Sequence, residues 1–332
     1  MEFHFLNVGN GDCHIIQHNS GRVSVIDINF LRSNFEGSSS NFNEESASLI
    51  LERQGNHNQK ENPEHPIEYL QNLLKSNSSI FRFILTHPDL DHMRGITDLF
   101  NEFNIQNFWD TENDKEIKEF QSDSDKADWD FYQKIRNSEN DPKVLHLYRD
   151  SESKCCWEED GIRILSPTPE LVEEANKKED WNMLSYVLLI EEDDLKIVLA
   201  GDSTDNTWDD IINHYKGKGE ISLLENVDIL VAPHHGRKSN TNYEFLKIMK
   251  PKLTLIGNAQ SKDINYSIYE QYSDKKLTNN QAGNVVIQKD QDNGYWYVLI
   301  TNKSFAEKNS EFDKLHAKKI AGKDYYYLWR LK

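Results

Sequence analysis

The chain has 332 residues, enough for one large domain or two ordinary ones with a full core. Hydrophobic residues make up 37% and charged residues 28%, with a net charge of −18, so a globular, polar chain is expected. That charge disfavours a surface that tracks a nucleic-acid backbone through Lys and Arg contacts, but it leaves open chemistry on a phosphate, because bound divalent cations supply positive charge locally.

The opening "MEFHFLNV" is a strand pattern with no basic leader, and no stretch approaches the roughly 18 consecutive apolar residues of a membrane span. Cys13, Cys155 and Cys156 are odd in number and two are adjacent, which suits neither a disulfide framework nor a zinc knuckle. A soluble protein of the reducing cytoplasm, with no membrane partner, is the expectation.

In chain order, "EFHFLNV", "HIIQHN" and "GRVSVIDIN" predict a three-strand meander around the turn "GNGD". Residues 31–65 are rich in Ser, Asn, Glu and Gln and read as a long inserted loop, with a short helix near "ESASLILERQ". "PIEYLQNLLKS" has helical spacing at Ile67, Leu70, Leu73 and Leu74. "IFRFIL" is a buried strand running into "THPDLDHMRG", and "ITDLFNEFN" is helical. Residues 110–160 are strongly acidic with scattered aromatics and predict a helical surface insertion. Trp109, Trp129, Phe131 and Tyr132 either dock a protein partner there or pack the insertion onto the domain; packing is the simpler reading. "GIRILSP" is a strand, and "MLSYVLLIEEDDLKIVLAGDS" a hairpin turning at "EEDD". "NTWDDIINHY" and "NYEFLKIMKP" are helices, and "VDILVAPHHG", "LTLIGNA", "NVVIQKD", "GYWYVLI" and "YYYLWRLK" are strands. Apolar strands alternate with amphipathic helices in both halves, so two sheets covered by helices would bury every apolar face of a single domain.

Three loops that follow apolar strands carry His and Asp: His87-Pro-Asp89-Leu-Asp91-His92, Gly201-Asp202, and His234-His235-Gly236. Loops on a rigid scaffold are where reactive groups are placed, and imidazole with carboxylate is a donor set for zinc, manganese or iron. On an extended segment His87, Asp89 and Asp91 share one side and His92 faces the other, so the loop serves two metals, with Asp202 bridging and His234 or His235 completing one site.

"THPDLDHMRG" resembles the signature loop of the metallo-β-lactamase fold superfamily, and "LAGDST" resembles its bridging-aspartate motif. Asp89 in place of the second histidine, with "VGNGDCHIIQ", "SVIDIN", "NMLSYVLLI", "VAPHHGRKS" and "LTNNQAGNVVIQKD" in this order, is similar to the branch typified by the C-terminal domain of the DNA-uptake protein ComEC. The likeness spans about residues 1–300, apart from the two insertions. It implies an α+β fold, a four-layer αββα sandwich, with a divalent site of zinc or manganese, two ions, at one edge of the sheets. It implies metal ligands at His87, Asp89, Asp91, His92, Asp202 and His234, and a catalytic role for Asp91 and His235, with His234 and His235 interchangeable between ligation and proton transfer. Arg237 and Lys238 are candidates to hold substrate phosphate, as is Asn258, which with Gly257 stands where the superfamily has a late histidine. The expected activity is a phosphodiesterase or nuclease on DNA, RNA or a nucleotide; the alternatives are hydrolysis of a small ester, lactone or amide, and a partner-activated effector module.

Overall fold

The structure is a computed structural model that describes residues 1–30, 57–75, 79–151, 156–238 and 243–332. The helix expected near "ESASLILERQ" lies outside the described residues, as does Cys155. Strands β1 (Glu2–Phe5), β2 (His14–Gln17) and β3 (Val23–Ile26) form the expected antiparallel meander. Strand β4 (Ser79–Ile84) then adds parallel to β3, β5 (Asn104–Trp109) to β4, and β6 (Lys143–Leu145) to β5. The second sheet is built from β7 (Ile162–Ser166), β8 (Val187–Glu192), β9 (Leu195–Leu199), β10 (Ile229–Val231), β11 (Leu253–Ile256) and β12 (Lys275–Thr278). The chain returns to the first sheet through β13 (Val285–Lys289), β14 (Trp296–Ile300), β15 (Ala317–Ile320) and β16 (Lys323–Arg330). Among the described residues the first sheet has ten strands, ordered β15-β16-β14-β13-β1-β2-β3-β4-β5-β6, and the second six, ordered β12-β11-β10-β9-β8-β7.

Alternation along the strands explains the layers. On β8, Leu188 and Ile190 face the first sheet and pack with Phe3, Phe5, Ile16 and Trp109 between the sheets. Val187 and Leu189 face outward, under Trp208, Ile211 and Tyr215 of the helix Asp205–Lys218. On the far side, Val25, Phe83 and Val286 pack under Tyr69 and Leu70 of the helix Pro66–Leu74 and under Tyr132 of the helix Asp123–Ile135. Each sheet therefore has one face on the other sheet and one under helices, which is the four-layer αββα sandwich. No helix among the described residues is long and apolar enough to cross a membrane.

The 110–160 segment is not wholly helical, since β6 extends the sheet edge; a three-residue strand, "KVL", carries no readable alternation. Trp109, Trp129 and Tyr132 are buried and fasten this segment to the domain.

Candidate metal centre

β3, β4, β9 and β10 end at the same edge, because β3 and β4 run parallel and β9 and β10 run parallel in the facing sheet. Tyr186 N–H, donating to Thr86 O at 2.9 Å, ties the two sheets at this edge, and within the second sheet His234 N–H donates to Gly201 O at 3.0 Å, joining the ends of β9 and β10. Gly201 is required there: it has φ +51°, and a Cβ would lie 3.0 Å from Thr86 Cβ.

At this edge one ligand atom from each of Asp12, His92, Asp202 and His235 lies within 4.8 Å of the others, and all four residues are buried. His92 Nε2 is 3.3 Å from Asp202 Oδ1, His235 Nε2 is 3.7 Å from the same oxygen, and His235 Nδ1 is 3.3 Å from Asp12 Oδ1. Yet His92 Nε2, both His235 nitrogens and Asp202 Oδ1 have no hydrogen-bond partner. Buried polar atoms without partners are costly, so a converging set of them fits a cation better than a purely structural role. Two carboxylates and two imidazoles form a donor set for zinc, manganese or iron.

Behind this cluster stands Asp27. Its carboxylate accepts from Thr86 N–H and Thr86 Oγ1–H, each at 2.7 Å, and from His92 Nδ1–H at 2.7 Å. A proton held on Nδ1 leaves Nε2 as the ligating atom, the usual arrangement of a carboxylate behind a metal-binding histidine.

The electrostatics follow from burial. Burial alone would raise the Asp202 carboxyl, but His92 and His235 outweigh it and hold the group well below the ordinary carboxylate range. Asp12, also buried, is likewise lowered by His235 and His14. Burial would lower His235, but Asp12 and Asp202 raise it to about 9, and Asp202 with Asp27 raises His92. The cluster thus favours carboxylates facing positive charge.

The structure sorts the sequence candidates. His92, Asp202 and His235 join the cluster. His87 lies beside His92, the two rings tilted with centroids 4.2 Å apart, with its Nε2 lacking a hydrogen-bond partner and lying 3.8 Å from Asp89 Oδ1. Asp89 is ion-paired with Lys115. The loop is not extended as its alternation suggested: it turns helical over Leu90–Met93 with Asp89 as N-cap, so His92 and not Asp91 faces Asp202. Asp91 is half-buried and lies outside the four-residue group. His234 Nε2 lies 3.5 Å from Asp202 Oδ2 and accepts from Arg237 Nη1–H at 2.7 Å; burial, then Arg237, lower its proton affinity against the pull of Asp202. Lys238 is exposed, with Nζ donating to Lys262 O at 2.8 Å. Asn258 is buried and donates to Asn7 Oδ1 at 2.7 Å and Gly9 O at 3.2 Å, which pins the β11 loop to the turn that carries Asp12.

Asp12 is the residue that sequence reasoning missed. Its neighbour in space is Gly257, where an added Cβ would sit 2.7 Å from His235 Nδ1 and 3.2 Å from Asp12 Oδ1. A side chain at position 257 would therefore displace the Asp12–His235 contact.

Next to His234 opens a cavity of about 200 Å³ lined by Trp208, His234, Arg237, Lys238, Phe245 and Tyr269, among others. A larger cavity of about 500 Å³, lined by Tyr148, Trp157, Arg163 and Glu191, lies at the opposite end of β7 and β8 from the histidines.

No protein-family model matches this chain, and no curated protein matches it in sequence. Among solved structures it is similar to the metallo-β-lactamase fold protein YhfI from Bacillus subtilis, with 11% identity over 83% of this chain and 95% of that one and a TM-score of 0.40. It is also similar to Igni18, a metallo hydrolase from the hyperthermophilic archaeon Ignicoccus hospitalis, with 11% identity over 87% and 100% of the two chains and a TM-score of 0.46. A third such structure is CmlA, a diiron β-hydroxylase from Streptomyces venezuelae, with 12% identity, coverage of 86% and 54%, and a TM-score of 0.45.

Proposed function

We propose that this chain is a metal-dependent hydrolase of phosphodiesters, acting on a nucleotide or a nucleic-acid strand. The observation that carries the reading is the buried Asp12–His92–Asp202–His235 group with its unpartnered ligand atoms at the shared edge of two sheets. Asp12, His92, Asp202 and His235 would hold the cation, with zinc or manganese favoured by the mixed donor set. When bound, such an ion would lower the pKa of its water toward about 7 and so supply hydroxide at neutral pH.

The chain's own groups supply the rest. Asp202, between His92, His234 and His235, is placed to orient the attacking water. His234 borders the cavity and is about one-third exposed, so it can exchange a proton with a leaving oxygen. Arg237 lies against His234 and offers fork-shaped donors to a phosphate. The cavity is smaller than the roughly 300–1,000 Å³ typical of drug-sized ligand sites, so it admits one ring or one esterified phosphate at a time. With a net charge of −18, a short or single nucleotide is the better substrate than a long polyanion.

The test is hydrolysis of bis(p-nitrophenyl) phosphate, cyclic nucleotides and single-stranded oligonucleotides with added Mn²⁺ or Zn²⁺. Wild type is expected to turn over at least one of these, and Asp202→Ala to lose about 100-fold or more of that rate. Turnover of aryl esters with none on any phosphodiester would replace this reading with that of an ester, lactone or amide hydrolase.

A further inference from the structure

A lysine from the 110–160 insertion reaches the edge of the metal-binding cluster. Lys115 Nζ is ion-paired with the Asp89 carboxylate and sits 5.0 Å from the centroid of the Trp181 ring. The strap that carries it is fixed on both sides. Lys115 N–H donates to Asn113 Oδ1 at 3.2 Å, Asn113 Nδ2–H donates to Tyr132 Oη at 2.8 Å, and Arg136 Nη2–H donates to Thr111 O and Asn113 O at 3.0 Å each. Trp181 Nε1–H donates to Asp114 Oδ1 at 3.2 Å, which ties the ring over the ammonium to the same strap. The aromatic face and the carboxylate both favour a cation at this point.

Beside the first site stand His87 and Asp89, whose Nε2 and Oδ1 are 3.8 Å apart and could begin a second one. His87 Nε2 has no hydrogen-bond partner, but Asp89 is bound to the ammonium.

We infer that Lys115 takes the place of a second metal ion, so that this chain binds one divalent cation and not two. The inference deepens the metal-hydrolase reading and rests on it. A dication on His87 and Asp89 would have to break the Lys115–Asp89 pair and then sit beside a fixed ammonium, where like charges repel at short range. Lys115 supplies one positive charge without an open coordination position. A single ion would then supply the metal's chemistry, and the insertion becomes part of the site by setting its metal count.

The test is the metal content of the purified chain, stripped with chelator, loaded with Mn²⁺ and desalted, with calorimetric titration as a second count. One ion per chain is expected for wild type and for Lys115→Arg, which keeps the charge. Two ions per chain, with the electron paramagnetic resonance signature of an exchange-coupled pair, are expected for Lys115→Met. Two ions in wild type, or one in Lys115→Met, would overturn the inference. No ion in wild type would overturn the metal-hydrolase reading beneath it as well, a result distinguishable from either.

Discussion

Asp27 accepts three hydrogen bonds from Thr86 and His92 while holding a left-handed backbone with φ +55°. A non-glycine residue in that region is strained, and strain of this kind persists where surrounding contacts over-determine it. The contact that matters is the one to His92 Nδ1, because it directs Nε2 at Asp202. Asp27→Ala is expected to weaken metal affinity by about 10–100-fold, measured by competition against a chromophoric chelator; unchanged affinity would show that Asp27 merely fastens the loop. The histidine–aspartate loops were legible because they cluster titratable groups after apolar strands. Asp12 was not, although its turn "GNGD" was read, because an Asp after Gly is ordinary in turns and 80 positions separate it from His92. Nor could spacing say which of His234 and His235 enters the cluster. Both adopt left-handed backbones, φ 51° and 54°, and that local twist decides that His235 is fully enclosed while His234 borders the cavity.

Elements with strong local signals were read correctly, and those defined by their neighbours were not. The β8–β9 hairpin turns at Asp193 and Asp194, with φ of 51° and 67°, the pair of positive angles that a two-residue turn matching strand twist requires. β12, "KKLT", has no apolar run of its own; it exists because β11 offers it a parallel edge. β4 shows the limit from the other direction. It was read as a buried strand, yet Arg82 in its middle is fully buried as well, with Nη2 2.5 Å from Asp160 Oδ2, just before β7 of the facing sheet. Arg22 Nε joins the same carboxylate at 3.0 Å. Removing one member of such a pair leaves an uncompensated buried charge, so Asp160→Asn is expected to cost about 3–5 kcal/mol at neutral pH. Burial would raise the Asp160 carboxyl, but Arg22, Ser20 and Arg82 outweigh it and lower it. A lowered folded-state value means that this stabilisation is complete above the unfolded carboxylate value near about 4 and is lost as pH falls through the folded-state value below it. Urea midpoints of wild type and Asp160→Asn should therefore differ most at neutral pH and converge below about pH 4. A gap that stays constant down to pH 2 would sink the argument.

At the scale of the whole molecule, the alternation of apolar strands and amphipathic helices was enough to expect two sheets between helical layers, an arrangement that covers all of those faces. It could not show that the candidate site is shared equally between them. Asp12 and His92 come from the ten-stranded sheet, at the β1–β2 turn and beyond β4; Asp202 and His235 come from the six-stranded sheet, beyond β9 and β10. Neither sheet alone brings more than two of the four ligand atoms together, so a cation held by all four pins one sheet to the other and has no comparable site in the unfolded chain. Binding restricted to the folded state stabilises it by about 2.7 kcal/mol at a free ion concentration 100 times the Kd. For a chain of 332 residues, at the lower end of the roughly 2–4 °C per kcal/mol seen for domains of 150–250 residues, that is a rise in Tm of about 5 °C. The expected result is a rise of that size on adding Mn²⁺ or Zn²⁺ to chelator-treated wild type, reversed by chelator and absent in Asp202→Ala. A wild-type Tm indifferent to both metals, or an equal rise in Asp202→Ala, would mean that these four residues do not hold a cation between the sheets.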